Sequence, residues 1–317
     1  MKESGFTLQE MLGIEHPIIV APMFLVSNVE MVKAVMEKNV AGCIPALNYR
    51  TIPELKKAIR TLQKVKTPKG AFGINIIVNK SNLKYKEQLD ACCEVGVDFI
   101  ITSLGNPEEI IRKAHQKNIK VFCDVVSVVH AKKVAALGCD ALIAVNNRAG
   151  GHRGDLKPEE LIPELVKQCN IPVISAGGVG NKEELKEMLD LGAVGASIGS
   201  PFIASEEASS SNEYKQACVD YGSEDIVVTQ KISGTPCTVI NTPYVKKVGT
   251  QETWLENLLK RNKRLKKWVK LLRYLKGSAD VAQAAKKVTY KTVWVAGPSI
   301  GHTKKIESVK SIVDRFL

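Results

Sequence analysis

Between residues 18 and 200 the chain alternates two kinds of segment. The first kind is short and almost continuously apolar: 18–23, 41–46, 71–78, 98–103, 120–126, 141–146, 172–178 and 195–200. These runs are rich in β-branched residues and lack polar alternation, as expected of strands covered on both faces. The second kind is amphipathic and opens on helix-start signals. Thr51 stands three residues before Glu54, Asn106 is followed by Pro107, Glu108 and Glu109, and Asn181 precedes Glu184. Each supplies a capping oxygen and early acids. The amphipathic segments end near Asn39, Gly96, Asn118, Gly138 and Gly192, residues that tolerate the left-handed turn closing a helix.

Eight strands separated by helices can close through right-handed crossovers into a (β/α)8 TIM barrel, an α/β fold. An open doubly wound sheet is the alternative; the regular period, with no long break, favours the barrel. After the eighth run the pattern changes. A serine-rich turn at 209–211, a helix near 212–221, a β-like stretch at 226–232 and a basic helical segment at 260–276 follow. The expected organisation is a barrel from 1–202 and 290–317, with a smaller, mainly helical lid or substrate domain inserted at 203–289. The last residues read as a glycine-rich loop and a helix returning to the barrel.

The chain has 317 residues and a formal charge of +12, enough length for one large barrel. Much of the positive excess lies in 260–276, where Leu265, Trp268, Val269, Leu272 and Leu275 recur at helical spacing. This is either a helix packed on its own domain with a solvated basic face, or a surface for an anionic partner. No nucleic-acid motif or aromatic platform accompanies the charge, so no nucleic acid is expected as a partner. No apolar run is long enough to span a membrane and the N-terminus lacks a secretory plan, so the expectation is a cytoplasmic protein without a membrane partner. The eight cysteines include no CxxC pair, and no metal site is expected.

In a barrel the chemistry belongs at the C-terminal strand ends. There the first run ends in Ala21, Pro22 and Met23; the third carries Asn75 and the fifth Asp124. The sixth leads into Gly150, Gly151 and His152, the seventh ends in Gly177 and Gly178, and the eighth carries Ser197, Gly199 and Ser200. Glycines after the last two strands let backbone N–H groups approach an anion, and phosphate commonly binds there. The plainer reading is tight turns. A proline–methionine corner can lie against a flat ring, and the Asn75 amide suits a pyrimidine-like edge, although it could equally satisfy nearby backbone. Both favour a flavin nucleotide as owner of the phosphate.

The motifs APM at 21–23, GINI at 73–76, AGGHRG at 149–154, SAGGV at 175–179, IGSPF at 198–202 and SGTPCTVINT at 233–242 resemble the nitronate monooxygenase (2-nitropropane dioxygenase) family. The resemblance spans most of the chain. It implies FMN, a barrel with a lid-like helical domain, and His152 at the flavin face. It also implies FMN contacts from Met23, Asn75, Gly150, Gly151, Gly178, Gly199 and Ser200. Val145, Arg148 and Asp124 depart from residues frequent in relatives, which bears on the substrate.

Three functions follow as expectations. The first is FMN-dependent oxidation of alkyl nitronates or nitroalkanes by molecular oxygen, with His152 as base or as an electrostatic anchor. The second is NAD(P)H-dependent reduction of an enoyl thioester or a quinone, a chemistry found on the same scaffold. The third is a non-catalytic barrel that binds a phosphate ligand. For His152 the competing reading is a loop cap bonding backbone carbonyls. Arg148 and Arg153 read as solvated loop charges. The partner is a small-molecule substrate, and a homodimer is left open.

Overall fold

The computed structural model describes residues 6–79, 82–231, 235–250 and 293–317. The eight apolar runs form eight parallel strands of a closed barrel: β1 (Ile18–Val20), β2 (Ala41–Pro45), β3 (Ala71–Ile77), β4 (Phe99–Ser103), β5 (Lys120–Val125), β6 (Ala141–Val145), β8 (Val173–Ala176) and β9 (Gly195–Ile198). The last strand pairs with the first, Ile19 opposite Ser197, so no edge remains open. A further short strand, β7 (Gly151–His152), lies outside the barrel.

The joining helices are α2 (Val29–Met36), α3 (Ile52–Val65), α4 (Tyr85–Val95), α5 (Glu108–His115), α6 (Val128–Ala136), α7 (Pro158–Cys169) and α8 (Lys182–Asp190). Thr51 and Glu54 make the reciprocal capping box, and the Asn181 side chain accepts from the Glu184 N–H. The Asn106 start is displaced by one residue. Pro107 takes the cap position of α5, and Asn106 Oδ1 accepts from the Glu108 N–H at 3.1 Å. Asn39, Gly96, Asn118, Gly138 and Gly192 all have positive φ, as helix-closing residues.

Two apolar layers result. Outward-facing strand residues pack under the helices, and a second cluster fills the barrel. Inside, Phe99 and Phe122 stack with ring centroids 5.3 Å apart. Gly73 makes room for them, because a Cβ there would lie 2.4 Å from the Phe99 ring. The short helix α1 (Leu8–Leu12) plugs the lower end: Leu8 is fully buried and leaves no space for a side chain at Gly195.

Beyond β9 come a 3-10 turn (Ser200–Ala204), α9 (Asn212–Asp220), β10 (Ile226–Thr229), β11 (Cys237–Ile240) and α10 (Pro243–Val248). The β10 and β11 strands form an antiparallel sheet whose third member is β7. The basic segment 260–276 lies outside the described residues. The chain re-enters at Val293 and turns at Pro298–His302. It ends in α11 (Val309–Asp314), which returns to pack on α2, with Lys310 2.6 Å from Glu37. Among the described residues no helix is long and apolar enough to cross a membrane.

Candidate active site at the barrel mouth

Strand alternation sets the floor of the mouth. Phe99, Ile101, Phe122, Ile143 and Ile174 point inward, so Ser103, Asp124, Val145 and Ala176, one alternation further along their strands, face the same way at the C-terminal end. The floor is therefore divided: apolar on β6 and β8, polar on β3, β4 and β5.

The polar half is a connected network. Asn75 is 7% exposed, and its Nδ2 donates to the Ile101 carbonyl at 3.2 Å and to Ser103 Oγ at 2.8 Å. Ser103 Oγ donates to Asp124 Oδ2 at 2.5 Å. Burial pushes the Asp124 carboxyl up to about 6, with the Ser103 hydrogen bond pulling the other way. A carboxyl raised on folding binds its proton more tightly in the native state. Its contribution is present below the unfolded-state value and is lost as pH rises through about 6. Asp124→Asn should accordingly flatten the fall in melting temperature between about pH 4 and pH 6. An unchanged slope in thermal melts would remove Asp124 as its source.

The loops after β8 and β9 lie side by side, since Ala176 pairs with Ser197. Gly177 and Gly178 have φ of +115° and +83°. The N–H groups of Gly178, Gly199 and Ser200 donate to no group among the described residues. The nearest neighbours of a Cβ on Gly199 would be Ala21 and Met23, at 3.5 Å and beyond. Unused N–H groups opening a helical turn are donors that can receive an anion. The corner beside them is held rigidly. The Met23 N–H donates to Ser27 Oγ at 2.9 Å, and Ser27 Oγ to the Ala21 carbonyl at 3.2 Å. Leu25, at φ +58°, donates to Asn48 Oδ1. Pro22 lies within this corner; Ser197 is buried on β9.

The segment carrying His152 is more constrained than a loop. Asn146, fully buried, donates to the Gly177 carbonyl and accepts from the Arg148 N–H. Thr238 Oγ1 donates to the Ala149 carbonyl at 2.7 Å and reaches that of Gly151 at 3.3 Å. His152 then pairs with Cys237 as part of β7 and is exposed. At Gly150 the close neighbour is the protein itself: a Cβ would lie 2.7 Å from Ser200 Oγ and 2.9 Å from the Gly297 nitrogen. Gly151 has φ +79° and faces Val295.

Arg148, its side chain partly exposed, and Arg153, part-buried, both have partners. Arg148 lies across Gly178 and pairs with Glu159 at 2.5 Å, while Arg153 donates to the Asn147 carbonyl at 3.1 Å. His302 pairs with Glu184 at 3.1 Å and packs over Gly180. His115 pairs with Asp140 at 2.8 Å, and His130 lies on α6, its pKa lowered by burial. Three participants escape a sequence reading. Ser103 is one polar residue ending an apolar run, Asn146 reads as loop, and Gly297 is far away in the chain.

The family model described as nitronate monooxygenase matches residues 6–317. A (3aS,4S,5R,7aS)-5-hydroxy-7a-methyl-1-oxo-octahydro-1H-indene-4-carboxyl-CoA dehydrogenase of Rhodococcus jostii is 30% identical over 75% of this chain, and the match spans 66% of that relative, just under two thirds of its length. A probable nitronate monooxygenase of Staphylococcus saprophyticus is 29% identical over 75% of this chain and 79% of its own. Among solved structures, FabK from Thermotoga maritima superposes with a TM-score of 0.82 at 27% identity, covering 98% of this chain and 95% of that one. Nitroalkane oxidase from Streptomyces ansochromogenes, at 20% identity and a TM-score of 0.80 over 98% of this chain and 96% of its own, shares the fold. A closed barrel matched by the family model over nearly the whole length of the chain places it in the nitronate monooxygenase family of oxidoreductases.

Proposed function

We propose that the protein is an FMN-dependent oxidase of alkyl nitronates and nitroalkanes that uses molecular oxygen. The observation carrying this reading is the set of unused N–H donors at Gly178, Gly199 and Ser200, beside the polar floor of the same mouth. The residues fit the cofactor: a phosphate suits the donors, and a flat heterocycle suits the rigid Ala21–Met23 corner and Asn75. Bound FMN would supply the electron acceptor. The chain's own residues bind and orient. His152 takes the acidic α-proton of a neutral nitroalkane on its imidazole, or as imidazolium holds the oxygens of a nitronate. Val145 and Ala176 give the substrate an apolar wall.

The second reading is an NAD(P)H-linked reductase of a thioester substrate, favoured by the resemblance to a dehydrogenase of a CoA-linked compound. Anaerobic absorbance titration separates the two. Bleaching of the bound flavin by nitroethane nitronate but not by NADH or NADPH is the expected result. Fast bleaching by a nicotinamide cofactor transfers the assignment to the reductase, and a protein that neither carries nor takes up flavin ends both.

A further inference from the structure

The hydrogen bonds of Asn75 run in one direction only. Its amide nitrogen carries two hydrogens. One goes to the Ile101 carbonyl, which can only accept, so this contact fixes which end of the amide is nitrogen. The other goes to Ser103 Oγ, whose own hydrogen is committed to Asp124. Both donors are spent inside the protein. What remains is Oδ1, which accepts from no group among the described residues although Asn75 is only 7% exposed. An acceptor in this position rewards a ligand N–H and repels a ligand carbonyl.

We propose that Ser103 and Asp124 are positioning residues that hold Asn75 with its carbonyl oxygen toward the mouth, so that the site takes a flat heterocycle by a ring N–H and rejects a ring that lacks one. The inference rests on the flavin reading for its ligand: an oxidised isoalloxazine offers one N–H, that of its imide. The carboxyl of Asp124 is needed only as an acceptor for Ser103. An amide in its place satisfies the hydroxyl and a methyl group does not. Without the relay the second amide hydrogen of Asn75 loses its partner, and the side chain is free to swing from its set direction.

The test is the affinity of the purified protein at pH 8 for FMN and for FMN methylated at the imide nitrogen, read from the quenching of flavin fluorescence. The wild type is expected to prefer FMN by about tenfold or more, the effect of one lost hydrogen bond with a buried partner left unmet. Asp124→Asn keeps that preference; Asp124→Ala and Ser103→Ala reduce it to about threefold or less, with circular dichroism melts checking that each variant is folded. Rescue by the amide distinguishes positioning from a merely structural tie between strands. Equal binding of the two flavins by the wild type overturns the inference and leaves the cofactor reading standing, as does full preference in both alanine variants. Binding of neither flavin removes the cofactor reading, and the inference falls with it.

Discussion

His152→Ala is expected to slow flavin reduction by a neutral nitroalkane by about 10²–10⁴-fold, the usual range for loss of a general base, with FMN still bound. The same variant given a preformed nitronate should lose much less, because the proton is already gone. The contrast follows from the placement of His152. Its backbone, paired with Cys237, holds β7 in the small sheet, whereas the residue is exposed. Truncation therefore removes the imidazole and leaves the ladder. Anaerobic stopped-flow traces with both substrates check this directly. Equal rates for the variant and the wild type with the nitroalkane would remove the base role.

Gly177→Ala should cost on the order of 2–4 kcal/mol, combining strain at positive φ with forced overlap. At φ +115° a new Cβ would sit 2.4 Å from the Ala149 nitrogen and 2.6 Å from Asn146 Oδ1. Neither neighbour can yield, since Asn146 is fully buried and bonded on both sides. Gly138→Ala is the internal control. It has φ +87° with nothing within 4 Å, so it carries the conformational cost alone, about 1–2 kcal/mol. At roughly 2–4 °C per kcal/mol for a chain of this size, the two variants should separate clearly in thermal melts. If Gly177→Ala melts with Gly138→Ala, the overlap argument fails.

The barrel was legible because burial on both faces leaves a simple mark. A run such as DFIITS or KVFCDVV has no polar alternation, and each is bounded by helix signals. Helix ends were legible for the same local reason, with Asn39 and Asn118 both found in the left-handed region. The Asn106 start moved by one residue because an asparagine can bond the N–H two positions on as readily as three. What stayed hidden was long-range. A two-residue strand such as Gly151–His152 has no periodicity to detect, and its partner at Cys237 is specified by chain that folds back from beyond the barrel. Arg153 read as a loop charge for a different reason: its guanidinium donates to the backbone carbonyl of Asn147, a partner that no sequence pattern marks. Gly150 carried a signal of close approach, and among the described residues it is Gly297 and Ser200 that come close to it.

That return path bears on the order in which the molecule becomes competent. The eight barrel strands are complete by Ile198, so the barrel can close while the remainder of the chain is still being synthesised. The His152 segment cannot be set at that stage. It waits for Cys237 and Thr238, then for Val295 against Val239 and for the Gly297 N–H on Ser200 Oγ. Closing these distant loops costs entropy that only the finished contacts offset. A nascent chain halted after Ile198 would hold all eight barrel strands while the segment carrying His152 still lacked its partners at Cys237, Thr238 and Gly297.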